Sequence, residues 1–272
     1  MKRKLLVTGA AGIVGTGICP LLAEDFDLRL SMRRATESTP EGAEVVIGDI
    51  ADPEIVARAV EGCHGVLHLA AVHGTEIGFE ETLDVNYRGV VALMEKAVAA
   101  GVCHVIFASS NHGWGMWPRD AAPLADTAPP RPDGWYGVSK IFGESVMAYY
   151  ADTRGIATTS LRIGNCGSSV EDERRRHMWM SFRDMADVIR LALRRETPGH
   201  RAVFATADCK APFFDNAGLR ELGFETRDRP DDHLHTPQVA SEQQAPGMAG
   251  AAIGGAYAEA NFCADRKAWE KS

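Results

Sequence analysis

A short apolar run, Lys4-Leu5-Leu6-Val7, passes straight into Thr8-Gly9-Ala10-Ala11-Gly12-Ile13-Val14-Gly15 and then into a helical pattern carried by Ile18, Leu21 and Leu22. No other stretch limits the fold so much. Strand, glycine turn and helix in that order open a parallel α/β sheet. The glycines permit a tight turn, close approach of backbone to a pyrophosphate, and close packing of helix on strand. Free N–H groups at the helix start then favour phosphate. Three glycines alone are a weak signal, but their place between strand and helix favours dinucleotide binding over a plain tight turn. Contacts to a dinucleotide are therefore expected at Gly9, Gly12, Ile13, Val14 and Gly15.

Further strands follow, separated by helical patterns: Leu28 to Met32, Glu44 to Ile47, Gly65 to Ala71, Cys103 to Phe107 and Thr158 to Ile163. Such alternation predicts a Rossmann-type, doubly wound parallel sheet with right-handed crossovers. A helix from about Phe182 to Leu193 and a last strand around Ala202 to Phe204 complete the pattern. No linker or repeat divides the chain, so 1–272 reads as one domain. Its cofactor core spans about 1–160, and a small C-terminal substrate-covering lobe spans about 161–272. The polar segment 228–249 is expected to be a mobile arm.

The residue that closes the second strand of such a fold usually reads the adenosine ribose, and an acidic side chain there favours NAD. This chain has Met32, Arg33 and Arg34 instead. Guanidinium groups suit the extra phosphate of NADP, or are simply solvated in a turn, so NAD and NADP both stay open. Leu69, Ala70 and Ala71 are small enough to let a cofactor cross the sheet edge, and His68 reads as a packed strand residue.

The fifth strand delivers Ser109, Ser110, Asn111 and His112 to its carboxyl end, where α/β proteins bind ligands. Tyr136 and Lys140 follow, one helical turn apart. An ammonium beside a phenol favours the phenolate, so Lys140 is expected to lower the Tyr136 pKa towards neutrality. Ser110, Tyr136 and Lys140 together would make a proton-transfer site.

Composition excludes several classes. The chain is 45% hydrophobic with a net charge of −8, which argues against nucleic-acid binding. Six scattered cysteines without Cys-x-x-Cys spacing, and no His cluster, point to reduced thiols in a cytoplasmic protein with no metal. No apolar run approaches ~18 residues, so no membrane span is expected.

The Gly-x-x-Gly-x-x-Gly spacing resembles the short-chain dehydrogenase/reductase superfamily in its extended form. That resemblance implies an adenine contact at Asp49 and Ile50, where an N-cap at Asp49 is the alternative. It also implies a structural role for Asn86 beside the cofactor, a cofactor edge at Ser109, Tyr136, Lys140 and Ile163, and assembly as a homo-oligomer. Three segments are narrower: residues 107–112 (Phe-Ala-Ser-Ser-Asn-His), 131–140 (Arg-Pro-Asp-Gly-Trp-Tyr-Gly-Val-Ser-Lys) and 161–166 (Leu-Arg-Ile-Gly-Asn-Cys) look like the uronate dehydrogenases and the related archaeal glucose-6-phosphate dehydrogenases. This resemblance implies C1 oxidation of a hexuronate to an aldarolactone, with Ser110 and Tyr136 on the reacting hydroxyl and Lys140 on the nicotinamide ribose. Asn111, His112 and Tyr257 would contact the sugar, and Arg174 its acid group. His73 and Asn165 stand where uronate dehydrogenases carry serines. Alternatives are a sugar-phosphate dehydrogenase, an NADPH-dependent carbonyl reductase, a nucleotide-sugar epimerase or dehydratase, and a dinucleotide sensor without turnover.

Overall fold

The computed structural model describes residues 2–36, 39–195, 197–235, 246–264 and 269. Its strands in chain order are β1 (Arg3–Thr8), β2 (Phe26–Met32), β3 (Glu44–Ile47), β4 (Gly65–His68), β5 (His104–Ser110), β6 (Ala157–Ile163), the two-residue β7 (Asn165–Cys166) and β8 (Trp179–Met180), and β9 (Gly199–Ala205). Seven of them form one parallel sheet in the order β3-β2-β1-β4-β5-β6-β9, while β7 pairs with β8 alone. The doubly wound sheet expected from the sequence is thus present. Strand order reverses between β1 and β4, and the crevice above that switch point is where open α/β sheets take ligands.

The helices are α1 (Ile13–Leu22), α2 (Pro53–Val60), α3 (Phe79–Thr82), α4 (Gly89–Ala99), α5 (Trp135–Arg154), α6 (Glu173–Arg176), α7 (Phe182–Leu193), α8 (Ala217–Glu221), α9 (Gly247–Ala251) and α10 (Ala256–Asn261). Successive strand residues face opposite sides, and both sides are apolar, as a sheet between two helix layers requires. Leu5 and Val7 meet Ile18 and Leu22 of α1 and Ile189 of α7. Leu6, between them, meets the opposite layer, with Val56 of α2, Leu93 of α4 and Met147 of α5. Strand β9 and helix α7, both beyond residue 160, belong to this sheet and its covering layer. Met178, Phe213 and Ile253 pack with Trp114, Phe204 and Phe214 in one further cluster, and Met248, Ala252, Ala258 and Trp269 form another.

Three local expectations change. Strand β4 stops at His68 rather than Ala71, because its neighbour β1 gives way to the glycine turn after Thr8; Leu69 still donates to the Thr8 carbonyl at 3.1 Å. The N-cap of α2 is Asp52, whose carboxylate accepts from Glu54 N, whereas Asp49 caps only the turn at Ala51. The segment expected as a mobile arm is anchored wherever it is described. Asp228 accepts from Ser181 and Arg183, Asp231 pairs with Arg176, and residues 247–249 begin α9. Ion pairs and a buried Pro230 outweigh polar composition there. Residues 236–245 lie outside the described residues.

Candidate active site

One cavity of about 550 Å³ runs along the carboxyl edge of the sheet. At one end stand Gly9, Gly12, Ile13, Val14 and Gly15, with Arg33, Arg34, Asp49 and Ile50. Gly9 has φ +67°, and a Cβ there would lie 2.6 Å from Ala70 N. Only glycine allows β1 to turn this close to the chain leaving β4. A Cβ on Gly15 would meet the Ala10 carbonyl at 2.5 Å, so α1 starts close under the turn. No side chain caps α1, which leaves the N–H groups of its first turn to a ligand. These features fit a dinucleotide pyrophosphate.

The other end is lined by His73, Ser109, Ser110, Asn111, His112, Tyr136, Lys140, Ile163, Asn165 and Tyr257, with Leu69, Ala70 and Ala71 between the two ends. Every residue expected at the site lines this cavity except Asn86 and Arg174. Asn86 lies behind the wall in a π-helical turn, Leu83–Arg88, that leads into α4. Its amide exchanges two 2.9 Å hydrogen bonds with the backbone of Val72 and donates to Ser139 of α5 at 3.0 Å. It therefore holds the cavity wall, the structural role expected of it. Arg174 lies one layer out, donating from Nε to the Ile253 carbonyl at 2.6 Å and from Nη2 to Asn111 Oδ1 at 3.1 Å. Its neighbours in the charged run are held by acids: Arg175 by Asp172, Arg176 by Asp231 and Glu173.

The electrostatics differ from the sequence expectation. Burial pushes the Tyr136 phenol well above its ordinary pKa, and a hydrogen bond with Ser110 opposes this only in part. Lys140 does not lower it; burial brings the lysine itself down to about 7. Its ammonium sits 4.9 Å over the Phe107 ring and 5.5 Å from the Tyr136 ring, in a dry setting that disfavours both charged forms. His68 is packed, as expected, with Nδ1 2.6 Å from Thr8 Oγ1.

Two arrangements were not anticipated. Glu144, one turn beyond Lys140, accepts from Ser109 and from both Nε and Nη2 of Arg162, and Arg162 also donates to the Asp126 carbonyl at 2.6 Å. This buried ion pair ties α5 to β5 and β6 under the site floor. An arginine within an otherwise uncharged central strand was the available signal, since such a charge demands a buried acid. The second is Asp133, 2.7 Å from His112 Nδ1. No local pattern in residues 131–140 marks Asp133, because its partner His112 lies on the far side of a long loop.

The NAD dependent epimerase/dehydratase family model matches residues 5–186. The chain belongs to that family. It is 37% identical over 228 residues to the uronate dehydrogenase of Pseudomonas syringae pv. tomato, covering 83% of this chain and 82% of that protein. Over 248 residues it is 31% identical to the NAD-dependent glucose-6-phosphate dehydrogenase of Haloferax volcanii, covering 84% and 94%. The crystal structure of uronate dehydrogenase from Agrobacterium tumefaciens superposes with a TM-score of 0.86 at 32% identity, covering 95% of this chain and 97% of that one. The resemblance drawn from residues 107–112, 131–140 and 161–166 is borne out at the level of family and fold.

Proposed function

We propose that this family member is an NAD-dependent oxidoreductase that oxidises C1 of a cyclic hexuronate to an aldarolactone. The observation that carries the reading is one cavity with an open helix N-terminus and glycine turn at one end and Ser110, Tyr136 and Lys140 at the other. When bound, the nicotinamide supplies the acceptor for the hydride that leaves C1. Ser110 Oγ and Tyr136 Oη hold the reacting hydroxyl, and Tyr136 Oη receives its proton. Burial opposes the phenolate this requires, and the Ser110 hydrogen bond is the contact that favours it. Asn111, His112 and Tyr257 orient the sugar ring beside them.

The acid group of the substrate is assigned to Arg174, which already reaches Asn111 and can grip a carboxylate with two parallel hydrogen bonds. Arg33 and Arg34, at the glycine end, extend cofactor use to NADP. A panel of glucuronate, galacturonate, glucose and glucose 6-phosphate, each with NAD and with NADP, tests these assignments by nicotinamide absorbance. The uronates should give the highest kcat/KM. Preference for glucose 6-phosphate would move the assignment to the sugar-phosphate branch. Tight cofactor binding without turnover would make the chain a sensor.

A further inference from the structure

Asp133 precedes α5 by two residues and is only 2% exposed. Its Oδ2 accepts from His112 Nδ1 at 2.7 Å, and its backbone N–H donates to the His112 carbonyl at 3.2 Å. Two glycines make room for the carboxylate. A Cβ on Gly115 would lie 1.8 Å from Asp133 Oδ2, and one on Gly254 would lie 2.1 Å from it. An ionised carboxylate can only accept, so the imidazole proton is on Nδ1. Burial holds the His112 pKa below its ordinary value; Arg174 and His73 act in the same direction, and Asp133 opposes them. The ring is therefore neutral at pH 7, and its Nε2 is an acceptor. Among the described residues Nε2 has no hydrogen-bond partner, while the ring lines the cavity 3.8 Å from the Tyr257 ring and 5.9 Å from the Tyr136 ring.

We propose that Asp133 is a positioning residue that fixes His112 in the Nδ1–H tautomer, so that Nε2 meets the substrate as an acceptor and selects a donor hydroxyl there. This deepens the sugar-oxidation reading and rests on it for the substrate. Buried acceptors of this kind discriminate because an analogue without the matching donor leaves them unpaired. The orphaned partner, not the lost contact alone, sets the size of the effect.

Two measurements test the assignment. NMR of ¹⁵N-histidine-labelled protein, with no substrate present, reads the tautomer directly. His112 should be neutral with its proton on Nδ1, and Asp133→Asn should move the proton at least partly to Nε2, because an amide can donate to Nδ1. In kinetics, Asp133→Asn should lower kcat/KM for the sugar that wild type oxidises by about 10–100-fold, the effect of one charge-assisted hydrogen bond, with cofactor affinity unchanged. Adding Asp133→Asn to His112→Gln should cost less than about twofold more, because the two residues act as a unit. A wild-type proton on Nε2, or an equal loss in both backgrounds, would overturn the proposal. Should Asp133→Asn fail to fold, the wild-type spectrum decides alone. Failure of every sugar in the panel would sink the substrate reading and leave the tautomer result intact.

Discussion

The two ends of the cavity are built by opposite means. At the glycine end the working groups are backbone: a positive φ at Gly9, uncapped N–H groups on α1, and a wall too close for any Cβ. Such a site loses little when it folds, because its N–H groups need no burial of charge. At the reaction end the working groups are side chains that folding has dried: Tyr136 is pushed away from ionisation, Lys140 is brought to about 7, and Glu144 with Arg162 lies beneath. That end stores unfavourable electrostatics, as sites do where function is held against stability. Geometry therefore governs one end and desolvation the other, and substitutions should separate them.

The largest separation is expected from Tyr136→Phe. It removes only the exchangeable proton, and losing a placed acid–base group typically costs ~10²–10⁴ in rate. Cofactor affinity, set at the other end, should stay within about a few fold by the same logic. Single-turnover kinetics with a cofactor titration reads both. A variant that kept more than about a tenth of wild-type kcat would move the proton to another group.

Lys140→Met should have a smaller effect of a different kind: activity falls while stability rises. The folded lysine titrates at about 7 against an ordinary 10.5, so the unfolded chain holds more protons between those values. Stability from this group therefore increases with pH across that window, and its full cost is present at and below pH 7. Removing a charge that burial disfavours should therefore stabilise the fold. The advantage of the methionine variant in chemical denaturation should be greatest at pH 7 and fade as pH approaches 10. A constant advantage across that range would mean that Lys140 does not titrate as its burial dictates.

The same contrast explains what the sequence made legible. Backbone-built features announce themselves by residue type, so Gly9, Gly12 and Gly15 located the turn, and alternating apolar runs located six strands of the sheet and its last edge. Desolvation has no such signature. Tyr136 and Lys140 at one-turn spacing suggested mutual stabilisation, but their pKa shifts are set first by desolvation, which local spacing does not reveal. Arg174, placed by resemblance at the acid group of the substrate, stands behind Asn111, which it contacts from outside the cavity lining, and no sequence pattern shows that position. Asn86, expected from the resemblance in a structural role beside the cofactor, clamps the Val72 backbone from behind the cavity wall. Long-range pairs such as His112 with Asp133 and Glu144 with Arg162 join residues about 20 apart in sequence, and no local pattern specifies them.

Arg33 gives the mildest expected effect, because it belongs to the end where solvent remains. Both Arg33 and Arg34 are exposed, although they line the cavity beside Ser31 and Met32 at the close of β2. An acidic residue in that place would repel the extra phosphate of NADP; two guanidinium groups attract it, but water and salt screen the attraction. Exposed charge pairs are usually worth ~0.2–1 kcal/mol. Arg33→Ala should therefore weaken NADP binding by no more than about fivefold and leave NAD binding nearly unchanged, with the difference shrinking as ionic strength rises. Titration of both cofactors by intrinsic fluorescence at low and high salt measures it. Equal loss for NAD and NADP would show that Arg33 supports the turn after β2 rather than reading a phosphate. A loss for NADP of a hundredfold or more, about 2.7 kcal/mol, would exceed what a solvated pair supplies. The guanidinium would then have to be drawn out of water on binding, and the glycine end would share the desolvated character of the reaction end.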